Sequence, residues 1–160
     1  MPDPLQELAN ESRITAAREM REQLSLVTAP VLSRIAVDLV PHLFRNEYGG
    51  APAGHGDGWA DALAKPSVTA LPTLLVRVHR GTFGEDDAKQ LLAAMQDVRV
   101  SQAALVAIGP AVAPAVRAML GHAVPWFVDT DGLIQLLLAA SLGVTTRVYE
   151  AKYVDADYFR

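Results

Sequence analysis

The chain has 160 residues, 51% hydrophobic and 20% charged, which fits one domain with a sizeable core and weighs against disorder. It contains no cysteine, which excludes disulfides, thiolate zinc sites and cysteine nucleophiles. The formal charge is -4, with a pI near 5.5. Dedicated duplex binders usually carry a basic excess to neutralise phosphates, so this balance argues against strong autonomous DNA binding and leaves only a local basic patch open.

In chain order, Leu5, Leu8, Ala16, Ala17, Met20 and Leu24 recur at helical spacing, predicting an amphipathic helix from Pro4 to Leu24. Thr28 then caps a second helix, with Pro30 in its first turn and a wide apolar stripe through Val31, Leu32, Ile35, Ala36, Leu39, Val40 and Leu43. Pro41 should kink this helix or end it early. Tyr48 to Gly58 holds five glycines and Pro52, and reads as a loop. Ala60 to Ala64 and Thr73 to His79 read as strands, joined by a turn over Pro66 to Pro72. Glu85, Asp86 and Asp87 open a helix carrying Leu91, Leu92 and Met95, placing acids at its positive end.

Ala103 to Ile108 is a short continuous apolar run, suited to a buried strand. Pro110 and Pro114 open the next helix through Val116 and Leu120, and Trp126 to Val128 is another short strand. Thr130 or Asp131 caps a helix from Leu133 to Leu142 that Gly143 stops, and Val144 to Val154 closes as a final strand. The expected architecture is α/β: a mixed sheet of about five strands flanked by helices. The expected organisation is an amphipathic helix over residues 1–27, packed on or extending from a domain over 28–160. No apolar run reaches membrane-spanning length and the N-terminus is polar and acidic, so a cytoplasmic protein with no membrane partner is expected.

That element order, with several local matches, resembles the Mrr-type restriction endonucleases of the PD-(D/E)xK fold. Ile35 to Val40 resembles the end of the family's opening core helix, and Tyr48-Gly49-Gly50 the tyrosine and glycines that follow it. Gly56 to Asp61 is similar to GDGG-x-D, with Trp59 in place of a glycine, and Val76 to Arg80 stands where the strand bearing (E/Q)-x-K belongs. Gln90 falls where a helix glutamine is usual. Val128 to Leu133 looks like IDG-x-x-L with one inserted residue, and Tyr149 to Phe159 resembles the closing YE-x-K and D-x-D-(Y/F)-F. The matches run in order over roughly residues 20–159. Relatives often carry a winged helix before this domain, and nothing here is long enough to supply one.

The resemblance implies a site in which an Asp and a Glu or Gln hold magnesium while a Lys orients or activates the attacking water. Magnesium, a hard cation, needs carboxylate oxygens, and it stabilises charge on the phosphate as the water attacks. Asp61 matches the Asp, but Arg77 stands in the Glu/Gln position and His79 in the Lys position, while Ser33 lies near where relatives carry a helix glutamate. Exchanging an acid for arginine moves the local charge by two units. One unit-charge pair at about 4 Å is worth roughly 4 kcal/mol at an effective dielectric near 20, enough to turn metal attraction into repulsion. Losing the lysine alone would cost on the order of 100- to 10,000-fold in rate if His79 did not replace it. No metal or other cofactor is therefore expected, with magnesium on Asp61 only if activity survives. Arg77 is expected to pair with Asp61, against the alternative of a solvent-facing strand end.

Other candidates carry bland readings beside sharp ones. His79 is a general base or a polar remnant; His55 beside Asp57 is half a metal pair or a solvated loop residue; His42 and His122 are isolated. Trp59 stacks on a base or fills the space of a lost glycine, and Glu85-Asp86-Asp87 binds metal or caps a helix. Arg77, Arg80, Lys65, Lys89 and Arg45 form a phosphate-binding strip or are scattered surface charges. Three functions remain. The first is a degenerate nuclease-fold protein of prokaryotic restriction or defence that binds double-stranded DNA or regulates a protein complex. The second is a divergent magnesium-dependent endonuclease using Asp61 and His79, and the third a protein-protein assembly module. A homodimer through helices fits a small chain with no other module.

Overall fold

The computed structural model describes residues 3–44 and 47–143. Arg45, the expected strand from Val144 to Val154 and the Tyr149 to Phe159 motif lie outside the described residues. Helices α1 (Pro4–Leu24) and α2 (Ala29–Leu43) come first, then strands β1 (Tyr48–Gly56), β2 (Trp59–Pro66) and β3 (Leu74–Arg80). They are followed by α3 (Glu85–Asp97), β4 (Ala103–Ile108), α4 (Pro114–Leu120), β5 (Trp126–Val128) and α5 (Thr130–Ala139).

The strands form one mixed sheet in the order β1-β2-β3-β4-β5. The first three make an antiparallel meander, while β4 and β5 run parallel to β3. The parallel pairs require crossovers, and α3 and α4 supply them. Alternation along the strands divides the core in two. Ala60, Ala62, Leu74, Val76, Val78, Ala104 and Val106 face α1, α2 and α5. On the opposite face Leu75, Ala103 and Leu105 meet Ala88, Leu91 and Met95 of α3 and Val116 and Leu120 of α4. Strand β4 is buried along its whole length because helices cover both its faces, as its unbroken apolar run predicts.

The glycine-rich stretch departs from its expected loop. It forms edge strand β1, paired to β2 with a bulge between Pro52 and Gly54. Among the described residues β1 has no strand on its outer side, so Pro52 breaks no ladder there, and the bulge absorbs the irregularity. The Asp57–Gly58 pair closes the β1–β2 hairpin as a two-residue loop, with Gly58 at φ +76°, a conformation that glycine adopts without strain.

Helix α2 carries Pro41 inside its last turn and ends two residues later. Proline brings no N–H to the carbonyl of Val37 four residues back. Gly50 of β1 packs on that same carbonyl, so closely that a Cβ at position 50 would clash with the Val37 oxygen. Helix α5 starts earlier than expected: Asp129, rather than Thr130 or Asp131, is its N-cap and accepts the Gly132 N–H at 2.7 Å. The Thr130 hydroxyl instead accepts the Gly109 N–H at 2.9 Å, tying the helix start to the end of β4. The helix also stops at Ala139, short of Leu142, and Pro110 lies outside α4.

Helix α1 matches its expected span and lies against α5. Ala17, Met20 and Leu24 reach the core, and an exposed Arg21–Asp131 ion pair joins the two helices. Its first half leaves Leu5, Leu8 and Ile14 exposed. No helix among the described residues is long and apolar enough to cross a membrane.

Candidate functional site

Asp61 on β2 and Arg77 on β3 are direct cross-strand partners, and their side chains point to the face covered by α3. The sheet places them side by side, and the side chains complete a fork. Arg77 Nε donates to Asp61 Oδ1 at 2.7 Å and Nη2 donates to Oδ2 at 2.8 Å. Both residues are buried, at 2% and 4% exposure, so each charge depends on the other for solvation. Trp59, two residues before Asp61 on the same face, lays its indole over the guanidinium, 4.2 Å from ring centroid to Cζ. Gly56 lies under that indole, where a Cβ would collide with the ring.

His79, two residues beyond Arg77, is opposite Trp59 in the register. Its Nε2 lies 3.4 Å from Asp87 Oδ1, and Phe83 meets its ring edge-on at 5.1 Å. Among the described residues the buried Nδ1 meets no hydrogen-bond partner within ordinary bonding geometry. Burial lowers the imidazole pKa below its ordinary 6.5; the Asp87 carboxylate opposes the shift and the Arg77 charge adds to it. Asp87 has a second task, accepting the Gly84 N–H at 2.8 Å across the first turn of α3. The acidic triplet is thus a helix start in which one residue also contacts the site.

The structure brings together Asp61, Arg77 and His79, as the motif spacing predicts, and adds Trp59 and Asp87. The expected Asp61–Arg77 pairing is present. Trp59 was legible from its two-residue offset to Asp61, since alternate strand residues share a face. Asp87 carried no comparable signal, because its approach to His79 depends on where the α3 crossover lands. The remaining candidates are elsewhere. Gln90 is exposed on α3 and Ser33 belongs to α2, which packs on the other face of the sheet. His55 and Asp57 are exposed at the β1–β2 hairpin, and His42 and His122 are exposed on other elements.

Nor do the basic residues form one strip. Lys65 lies near the end of β2, which pairs with the start of β3, whereas Arg80 lies at the far end of β3. Lys89 is exposed on α3, and Arg80 reaches Ser25 on the opposite side of the sheet. Strand alternation and antiparallel order separate these charges despite their nearness in sequence.

Chemically, the arrangement does not fit magnesium. Both Asp61 oxygens accept from Arg77, which places a cation where the metal would need to be. Among the described residues no three His, Asp or Glu side chains converge at metal-ligand spacing. No protein-family model matches the chain, and no curated protein matches it.

Proposed function

We propose that this chain is a restriction-endonuclease-like domain, related to the Mrr-type enzymes, that no longer cleaves and serves a cytoplasmic prokaryotic restriction or defence system as a binding or regulatory subunit. The observation carrying this reading is the buried, bidentate Arg77–Asp61 pair, in which a guanidinium occupies both carboxylate oxygens that a divalent cation would need. The resemblance rests on sequence alone, yet its three site positions, 61, 77 and 79, share one face of two neighbouring strands, as a two-strand catalytic motif requires. The acidic charge balance and the separation of Lys65, Arg80 and Lys89 favour a regulatory role with a protein partner over autonomous DNA binding.

The test is incubation with supercoiled plasmid and short duplexes in magnesium or manganese, scoring cleavage and low-salt retention together. The expected outcome is no cutting in either metal, and duplex binding no tighter than roughly micromolar. Metal-dependent cutting abolished by Asp61→Ala would overturn the proposal and establish a divergent nuclease. The exposed Leu5, Leu8 and Ile14 on α1 favour the assembly reading as a second choice. Self-association in sedimentation, lost in Leu8→Glu, would support it.

A further inference from the structure

Strands β3, β4 and β5 are parallel, so their carboxyl ends lie along one edge of the sheet. Arg80 ends β3 and Gly81 follows it; Gly109 follows β4; Thr130 begins α5 just beyond β5. With Arg21 and Ser25 at the end of α1, these residues line a cleft of about 460 Å³. The volume lies within the range of small-molecule sites.

The chemistry of the lining is specific. Among the described residues, Arg21 and Arg80 are its charged residues and no aromatic ring lines it. Backbone donors are already used: Gly81 N–H donates to the Ile108 carbonyl at 2.8 Å, and Gly109 N–H to Thr130. The guanidiniums, however, retain capacity. Arg80 spends one Nη1 on the Ser25 carbonyl at 3.4 Å, and Arg21 spends Nη2 on Asp131. Each guanidinium has five N–H donors in a planar fork, a geometry matched to phosphate oxygens. Asp131 already shows Arg21 holding an oxyanion. The floor at Gly81 is open, since a Cβ there would touch nothing.

We propose that this cleft binds a phosphomonoester dianion between Arg21 and Arg80. Phosphate is the group recognised, because the two guanidiniums offer planar forks that match its oxygens. The site is separate from the Asp61–Arg77 pair: Arg80 turns towards α1, whereas Arg77 and His79 face α3. It therefore stands whether or not the chain cleaves DNA or regulates a complex. The same dianion occurs on free nucleotides and at the 5′ ends of DNA.

The test is isothermal titration calorimetry on the full chain at low salt, with inorganic phosphate, adenosine monophosphate, and a short duplex with and without its 5′-phosphate. Adenosine monophosphate or the phosphorylated duplex is expected to bind, and Arg21→Gln or Arg80→Gln to weaken that binding about tenfold or more, as loss of a charge-assisted hydrogen bond implies. Asp131→Asn removes the competing carboxylate and is expected to tighten binding, which reads the site without altering either arginine. Lys89→Gln, on the other face, is expected to change nothing. Tight binding of the phosphorylated duplex alone assigns a DNA end as the source, and equal binding of the nucleotide assigns a free small phosphate. No binding of any phosphate, wild-type affinity in both arginine variants, or equal binding of the two duplexes without binding of the nucleotide would each overturn the proposal.

Discussion

Asp61 and Arg77 tolerate burial because two hydrogen bonds close the fork and the Trp59 indole shields it. Removing one partner leaves a bare charge in the core. Arg77→Met is expected to destabilise the fold by about 3–5 kcal/mol, whereas Asp61→Leu combined with Arg77→Met restores most of the loss, since apolar replacement of a whole buried pair is often close to neutral. Urea unfolding of the single and double variants measures both, and a single-variant cost under about 1 kcal/mol would contradict the buried pairing. His79 gives a pH dependence whose sign follows from its burial. Its folded pKa is lowered from 6.5, so between 6.5 and the folded value the unfolded chain binds more protons. Stability is therefore lost as pH falls through that window and is fully present above 6.5. Comparison at pH about 7.5 and 5.5 should show a larger loss for the wild type than for His79→Phe, which has no imidazole to protonate. Equal losses would mean that His79 is free to take up its proton in the folded protein. The proximity of residues 61, 77 and 79 was legible because two strands with period-two patterning can meet that way; the Asp87 contact was not, because no local pattern reports the landing of a crossover helix.

Elements with a strong local pattern coincide with their expected spans: α1 has its predicted ends, β4 spans the predicted residues, and β5 is Trp126–Val128. Strand β1, expected as a loop, differs for an identifiable physical reason. Glycine and proline have low intrinsic strand preference, but this stretch is held by pairing to β2 and by packing on α2, neither of which composition reports. One local signal did exist, since an Asp-Gly pair preceding an apolar run is a hairpin signature. The β1–α2 contact also yields a prediction. Gly50→Ala places a Cβ against the Val37 carbonyl and should cost about 1–3 kcal/mol by overpacking, read from the urea midpoint, whereas Gly49→Ala meets no neighbour and should cost less. Equal effects at the two positions would show that the α2–β1 approach is looser than described. Helix α5 begins three residues before the expected Leu133 because Asp129, Thr130 and Asp131 are all competent caps; Asp129 takes the Gly132 N–H, while the Thr130 hydroxyl is used by the Gly109 N–H.

Across the whole molecule, two apolar layers share one sheet, so β3 and β4 contribute to both and should open only with global unfolding. Among the described residues the first half of α1 is less supported, since Leu5, Leu8 and Ile14 are exposed and contact with the core begins at Ala17. Hydrogen exchange should show little protection for amides of residues 5–12 and near-global protection for 103–108; comparable protection would reveal a partner surface covering α1. Hydrophobic periodicity and residue type act locally, and they are enough to specify the α/β class, the helices, the buried strands and the group of positions 61, 77 and 79. Long-range packing is what pairs glycine-rich residues 48–56 as a strand, keeps Lys65, Arg80 and Lys89 off a shared surface, and sets Arg21 opposite Arg80 in one cleft. Those outcomes depend on strand order, on the face each residue takes, and on where helices return to the sheet. They are set by the packing of distant segments, and no stretch of local sequence contains them.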